Sequence, residues 1–249
     1  MQLIDIVILA SAAFVPSLIY LVWIRNTERY SREPYYRLVW VFILGATLSV
    51  VLALCAEIIL MDLFDQNIGR VYEVLGEDPN ISTLVLACII APFAEEFAKA
   101  MGVFNVRGKF REIEDGIVYG AAAGLGFAAA ENLLYEGNAY LTNGAEAFIA
   151  TAIVRSLSSA LLHASASSVF GLGIARKAFQ GTGWLPYYLG AVAMHGLFNL
   201  FASFGVLYEG ELGDMASLVG LVAAFSIALF GIRAVRSKIR TLDRSSAGR

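Results

Sequence analysis

Apolar residues run along this chain in long stretches, separated by short segments that collect the Arg, Asp, Asn and Pro residues. Seven such stretches stand out, at 3–24, 38–60, 81–105, 116–135, 147–175, 184–206 and 215–235. About twenty residues at about 1.5 Å each cross a hydrocarbon layer of about 30 Å. In lipid every backbone amide and carbonyl needs a partner within the segment, and the alternating ten-residue strands of a barrel are absent, so the stretches predict helices. The pattern predicts an all-α polytopic membrane protein with about seven transmembrane helices: a single membrane domain over 1–235, then a basic tail over 236–249. Met1 to Ile24 has neither a basic leading segment nor a small-residue cleavage site, so it is expected to remain as the first span.

The chain has 249 residues, of which 58% are hydrophobic and only 16% charged, with a mean hydropathy of +0.68. A soluble fold cannot hide that much apolar surface. Fifteen of the eighteen Lys and Arg residues fall after the first, third and fifth stretches or from Arg233 onward, while the opposite loops hold only Arg70. The positive-inside rule then places the N-terminus outside and the tail in the cytoplasm of a cell membrane. The outer loops gather Asp62, Asp65, Glu73, Glu77, Asp78, Glu136, Glu146, Glu209, Glu211 and Asp214, expected as solvated surface. A net charge of −3 with no basic face excludes nucleic acid as a partner. Cys55 and Cys88 lack any ligand spacing and are expected as small packing residues.

Ionisable groups inside the stretches carry the chemistry, because each costs a few kcal/mol or more if it faces lipid. They are Glu57, Glu95, Glu96, Lys99, Glu131, Arg155, His163 and His195, including both histidines of the chain. On a helix Glu95 and Glu96 stand about 100° apart with Lys99 between them one turn on, so one cation serves two carboxylates. That arrangement offers a general base beside a potential acid. Gly116, Gly120 and Gly124 form a small-residue packing face, and Phe127 and Glu131 follow on one side of the same helix. His163 lies among serines, and His195 and Asn199 share a face at i, i+4. Arg155 is expected to pair with Glu131 or Glu146. The set suits attack of water on an amide, which needs a base, oxyanion donors and an acid. It also suits a zinc site with His163, His195 and Glu131 as candidate ligands, although no HExxH occurs.

These residues resemble the PrsW family of intramembrane proteases, related to the CPBP superfamily of CAAX prenyl endopeptidases and bacteriocin-immunity proteins. The resemblance rests on Pro16-Ser17-Leu18 through Glu28 to Pro34, on Glu95-Glu96-Phe97-Ala98-Lys99, on Asp115-Gly116 through Phe127 to Glu131-Asn132, and on His163 with His195-Gly196-Leu197-Phe198-Asn199. It implies a CPBP-like helical core, a membrane-anchored single-pass protein as substrate, anti-sigma factors being the best-known case, and catalytic roles for Glu95, Glu96, His163 and His195. Lys99 stands where the wider superfamily has arginine, and Glu131 where it often has histidine, which speaks against prenyl-protein cleavage. On this reading Glu95 or Glu96 activates water, Lys99 sets their charge, His195 and Asn199 stabilise the oxyanion, and His163 is an acid or metal ligand. The competing readings are a proton-coupled transporter, which lacks its inverted-repeat signature, and an inactive CPBP-like scaffold, which needs no mid-membrane polar cluster.

Overall fold

The computed structural model describes residues 3–75 and 80–246, except for the side chains of residues 74, 75, 209, 211 and 246. Of the acidic residues expected in the outer loops, Glu77 and Asp78 lie outside the described residues, as do the side chains of Glu209 and Glu211; Arg249 of the tail lies outside them too.

Among the described residues all regular elements are helices. Helix α1 is Leu3–Arg25, α2 is Tyr35–Leu44 and α3 is Val50–Asp65, the last two joined by a π-helical turn, Gly45–Ser49. A short α4 follows at Ile68–Leu75. Then α5, Ile81–Val85, joins α6, Ala91–Val106, through a second π-turn, Leu86–Ile90. The remaining helices are α7 Ile113–Leu157, α8 Ser159–Gln180, α9 Leu185–Ala202, α10 Phe204–Leu212 and α11 Asp214–Ser246.

Five helical runs are long and apolar enough to cross a membrane: Leu3–Arg25, Tyr35–Asp65, Ile81–Lys109, Ile113–Gln180 and Asp214–Ser245. The expected count of seven differs for two physical reasons. The stretches 116–135 and 147–175 fall in one run of 68 residues, whose helical geometry is interrupted at Gly144 (φ 81°). The stretch at 184–206 corresponds to α9, only 18 residues long and diluted by His195 and Asn199.

Residues 114–129 of α7 are buried and form the centre of the bundle. Their small side chains allow backbones to touch: Gly116, Gly120 and Gly124 face Gly171, Ser167 and His163 of α8 in reverse order, so this part of α7 and α8 run antiparallel. On its other side, Gly126 packs against the Phe42 carbonyl of α2. Large apolar side chains such as Ile58 (70% exposed) and Phe230 (69%) remain on the outside, as expected of a bundle solvated by lipid.

One end of the bundle is tied together by polar contacts. The carboxylate of Glu33 accepts hydrogen bonds from Arg111 (2.9 Å) and the Tyr119 hydroxyl. Asp243 accepts from the backbone amides of Arg29 (2.9 Å) and Tyr30 (3.1 Å). Arg236 reaches Thr27 at 2.9 Å. The loops after α1 and α6 and the end of α11 therefore share one end, where the basic residues concentrate. Residues 236–246, expected as a tail, continue α11 with Ile239 and Asp243 buried. Buried Glu28 also sits here, its carboxyl pushed up to about 8, chiefly by loss of solvent and then by neighbouring carboxylates; the Glu33 amide works against the shift. Two further expectations are corrected. Glu136, read as a solvated loop residue, is fully buried because α7 continues through its position. Cys55 is exposed rather than packed, and Cys88 is half-buried.

Candidate active site

Glu95, Glu96 and Lys99 project from the first turns of α6, and the local sequence sets up that segment. The Ala91 amide bonds back to the Leu86 carbonyl in the π register, and residue 92 is proline, which has no amide hydrogen. The Ala87 carbonyl thus loses both of its normal helical donors. The Asn199 side-chain amide supplies one at 2.7 Å. Gly196, one turn earlier on α9, lets that helix close on the neighbouring Cys88 carbonyl. The π-turn, Pro92, Gly196 and Asn199 together dock α9 on α6 and deliver His195 to the glutamates.

Lys99 is fully buried. Its ammonium donates to Glu95 Oε2 and Glu96 Oε1, each at 2.9 Å, lies 2.7 Å from His163 Nδ1 and stands 4.1 Å above the Phe127 ring. His195 Nδ1 meets Glu96 Oε1 at 3.0 Å, and Ser167 donates to Glu96 Oε2 at 3.0 Å. Both oxygens of Glu96 are therefore engaged and the residue is fully buried. Glu95 differs, because it also reaches the wall of a cavity of about 580 Å³.

The partners assign the ring protons that face them. The Glu96 carboxylate only accepts, so Nδ1 of His195 carries a proton, and its Nε2 lies 3.9 Å from Glu95 Oε2. Lys99 only donates, so Nδ1 of His163 accepts, while its Nε2 donates to Glu131 at 2.8 Å. Arg155 holds Glu131 at 2.9 Å, as one of the two expected pairings, and is further committed to Asn132 (2.8 Å) and Ser159 (3.2 Å). The two imidazoles meet edge to face with centroids 4.8 Å apart.

Glu95, His163 and His195 each place a ligand atom within 4.8 Å of the other two. Two histidines and a carboxylate, each histidine backed by a carboxylate on its far nitrogen, are a donor set that suits a tetrahedral ion with one open position. Residues and spacing fit, provided the Lys99 ammonium leaves His163 Nδ1. Of the three expected candidate ligands, His163 and His195 belong to this group; Glu131 instead orients His163 from behind.

The cavity is lined by Glu95, His163 and Phe127 and by residues farther along each helix toward the end opposite the basic loops: Glu57, Glu131, Tyr135, Arg155, Ser159 and Asn199 among them. Glu95 and His163 are the members of the polar cluster that line it, and His195 meets both of them. Sequence reading did not single out Ser159 and Ser167 as site residues, although a signal was present: both stand four residues from His163, on the same helical stripe.

Comparison with known proteins identifies the family of the chain. A family model described as PrsW family intramembrane metalloprotease matches residues 33–230. Protease PrsW of Clostridioides difficile (strain 630) is 30% identical over 172 residues, 68% of this chain and 66% of that protein. Protease PrsW of Geobacillus kaustophilus (strain HTA426) is 28% identical over 171 residues, 69% of this chain and 67% of that protein. The match thus spans about two thirds of the length of each relative. No solved structure matches the chain. With the family model covering most of its length, including all the helices that build the cluster, the chain belongs to the PrsW family of intramembrane metalloproteases.

Proposed function

We propose that this chain is an intramembrane endopeptidase that hydrolyses a peptide bond of a single-pass membrane protein, in the manner of an anti-sigma-factor protease. The observation that carries this reading is the meeting of Glu95, His163 and His195, two of which, Glu95 and His163, line a largely apolar cavity. An extended segment of a substrate helix fits such a wall, and the polar floor is where water and the scissile carbonyl meet.

Glu95 is the proton acceptor. Lys99 fixes its Oε2, which leaves Oε1 to take a proton from the attacking water and return it to the leaving amine. Glu96 acts from behind, holding His195 so that its Nε2 faces Glu95. In this reading His195 serves as an acceptor or ligand through Nε2, in place of the oxyanion role that the sequence suggested. The second amide hydrogen of Asn199, beyond the one given to Ala87, is the donor placed on the cavity wall for the oxyanion. Once the Lys99 ammonium withdrew, Glu95, His163 and His195 would hold a divalent ion such as zinc, which would polarise the scissile carbonyl as a Lewis acid.

The chain is proposed to cross a cell membrane seven times. At about 1.5 Å per residue a 68-residue run is far too long for one crossing, and the antiparallel contact of α7 with α8 supports a hairpin of two. With α9 as the sixth span, an odd count puts the two termini on opposite sides, the positive-inside rule puts the basic end in the cytoplasm and the N-terminus outside, and the cavity then opens toward the outer leaflet. Cleavage of a reconstituted single-pass substrate, with and without chelator, tests the activity and its metal dependence. Product formation at a site in the outer half of the substrate helix supports the reading; flux of protons or solutes without cleavage overturns it.

A further inference from the structure

Glu57 of α3 lines the catalytic cavity together with Glu95, Glu131 and Arg155. It feels the charges of Glu95, Glu131 and Lys99 across the cavity but touches none of them. Lys99 is held by Glu95, Glu96 and His163. Arg155 is held by Glu131, Asn132 and Ser159 and stacks 3.9 Å over Tyr135. Among the described residues Glu57 has no ion-pair or hydrogen-bond partner, and the wall around it is apolar, with Val50, Ala53, Leu54 and Leu86 nearby. A charged carboxylate in a membrane-embedded cavity costs several kcal/mol, a cost that the group escapes by holding a proton or by pairing with a cation that enters the cavity.

We infer that Glu57 is a specificity-determining residue that receives a lysine or arginine side chain of the substrate near the scissile bond. The inference rests on the protease reading above. The surrounding wall selects an apolar segment, and Glu57 selects a single cation within it. A charged hydrogen bond between partly buried partners is strong, and a neutral side chain offers the carboxyl no cation, so discrimination comes from both sides of the comparison.

The test uses the full-length chain in lipid nanodiscs and two single-pass peptides that differ only by lysine or methionine beside the cleavage site. Wild type should favour the lysine peptide by about tenfold or more in kcat/KM, carried by KM. Glu57→Gln should bring that ratio near one, and Glu57→Lys should favour a glutamate peptide instead. Photo-crosslinking of the same peptides to Glu95→Gln protein reads binding without turnover. A capture preference for lysine that Glu57→Gln abolishes supports the proposal even where no cleavage is seen, a result that would count against the protease reading alone. Equal capture of both peptides by the Glu95→Gln protein, or a preference that survives Glu57→Gln in folded protein, overturns it.

Discussion

Gly124→Ala is the substitution that most sharply separates packing from chemistry. A Cβ at Gly124 would lie 2.7 Å from the carbonyl carbon of His163 and 2.9 Å from the Ser167 hydroxyl. Carbon atoms rest at about 3.5–4.0 Å, so α8 has to withdraw from α7 by about 1 Å at this point. Such overpacking costs about 1–3 kcal/mol, and replacing glycine in a helix returns about 1 kcal/mol, which leaves a net loss of about 0–2 kcal/mol. The fold should survive. His163 should not keep its register with Lys99 and Glu131, and a displacement of about 1 Å at a catalytic group costs about 10²-fold in turnover. Gly116→Ala makes an equivalent clash, 2.6 Å from the Ala175 Cβ, but about 12 Å away along α7, and should lose stability with a much smaller loss of activity. Gly137 has nothing within 4 Å of an added Cβ, so Gly137→Ala serves as the helical control that keeps both. Substrate cleavage and thermal unfolding are measured on all three. Retention of more than half the activity by Gly124→Ala would refute the claim that this glycine sets the position of His163.

Three further outcomes follow from the geometry. Burial raises the Glu28 carboxyl from 4.5 to about 8, so between those values the folded state holds a proton that the unfolded state releases. Stability should therefore fall as pH rises through that window, by up to about 1.4 kcal/mol per unit, and Glu28→Gln should flatten the slope in detergent melts; parallel pH profiles would contradict it. Asn199→Ala should orphan the Ala87 carbonyl at a cost of about 1–3 kcal/mol and lower turnover by about 10²–10³, so an unchanged melting temperature would remove its docking role. Asp243→Ala should release the loop after α1 from α11, seen as faster proteolysis between Asn26 and Pro34; an unaltered cleavage rate would show that the two backbone hydrogen bonds do not hold it.

The helices and the polar cluster were legible because lipid imposes its own grammar: long apolar runs must be helical, and each charge within them needs a partner. Glu95, Glu96, Lys99, Glu131, His163 and His195 were all visible by that rule, and the structure brings them together. Their division of labour was not visible. Glu95 and Glu96 are adjacent in sequence, and only tertiary contacts show that Ser167 and His195 occupy Glu96 while Glu95 reaches the cavity. The donor role given to Asn199 missed its bond to Ala87, because the orphaned carbonyl arises from a π-turn that no local periodicity announces, although Pro92 was the clue. Glu136 was misread because α7 carries helix through a stretch whose polar residues resemble a loop, with Gly144 as its only break in geometry. Glu57 was recognised as a charge in a span, but its exposure to the catalytic cavity depends on how α3 packs beside α6.

Activation of water by Glu95 at the cavity is the proposed step on which the mechanism turns. The most direct measurement is mass spectrometry of a single-pass substrate cleaved in proteoliposomes prepared in ¹⁸O-labelled water, with wild type beside Glu95→Gln. The account predicts one ¹⁸O in the new carboxyl terminus of the wild-type product and loss of that product with folded Glu95→Gln; cleavage by Glu95→Gln at the wild-type rate would contradict it.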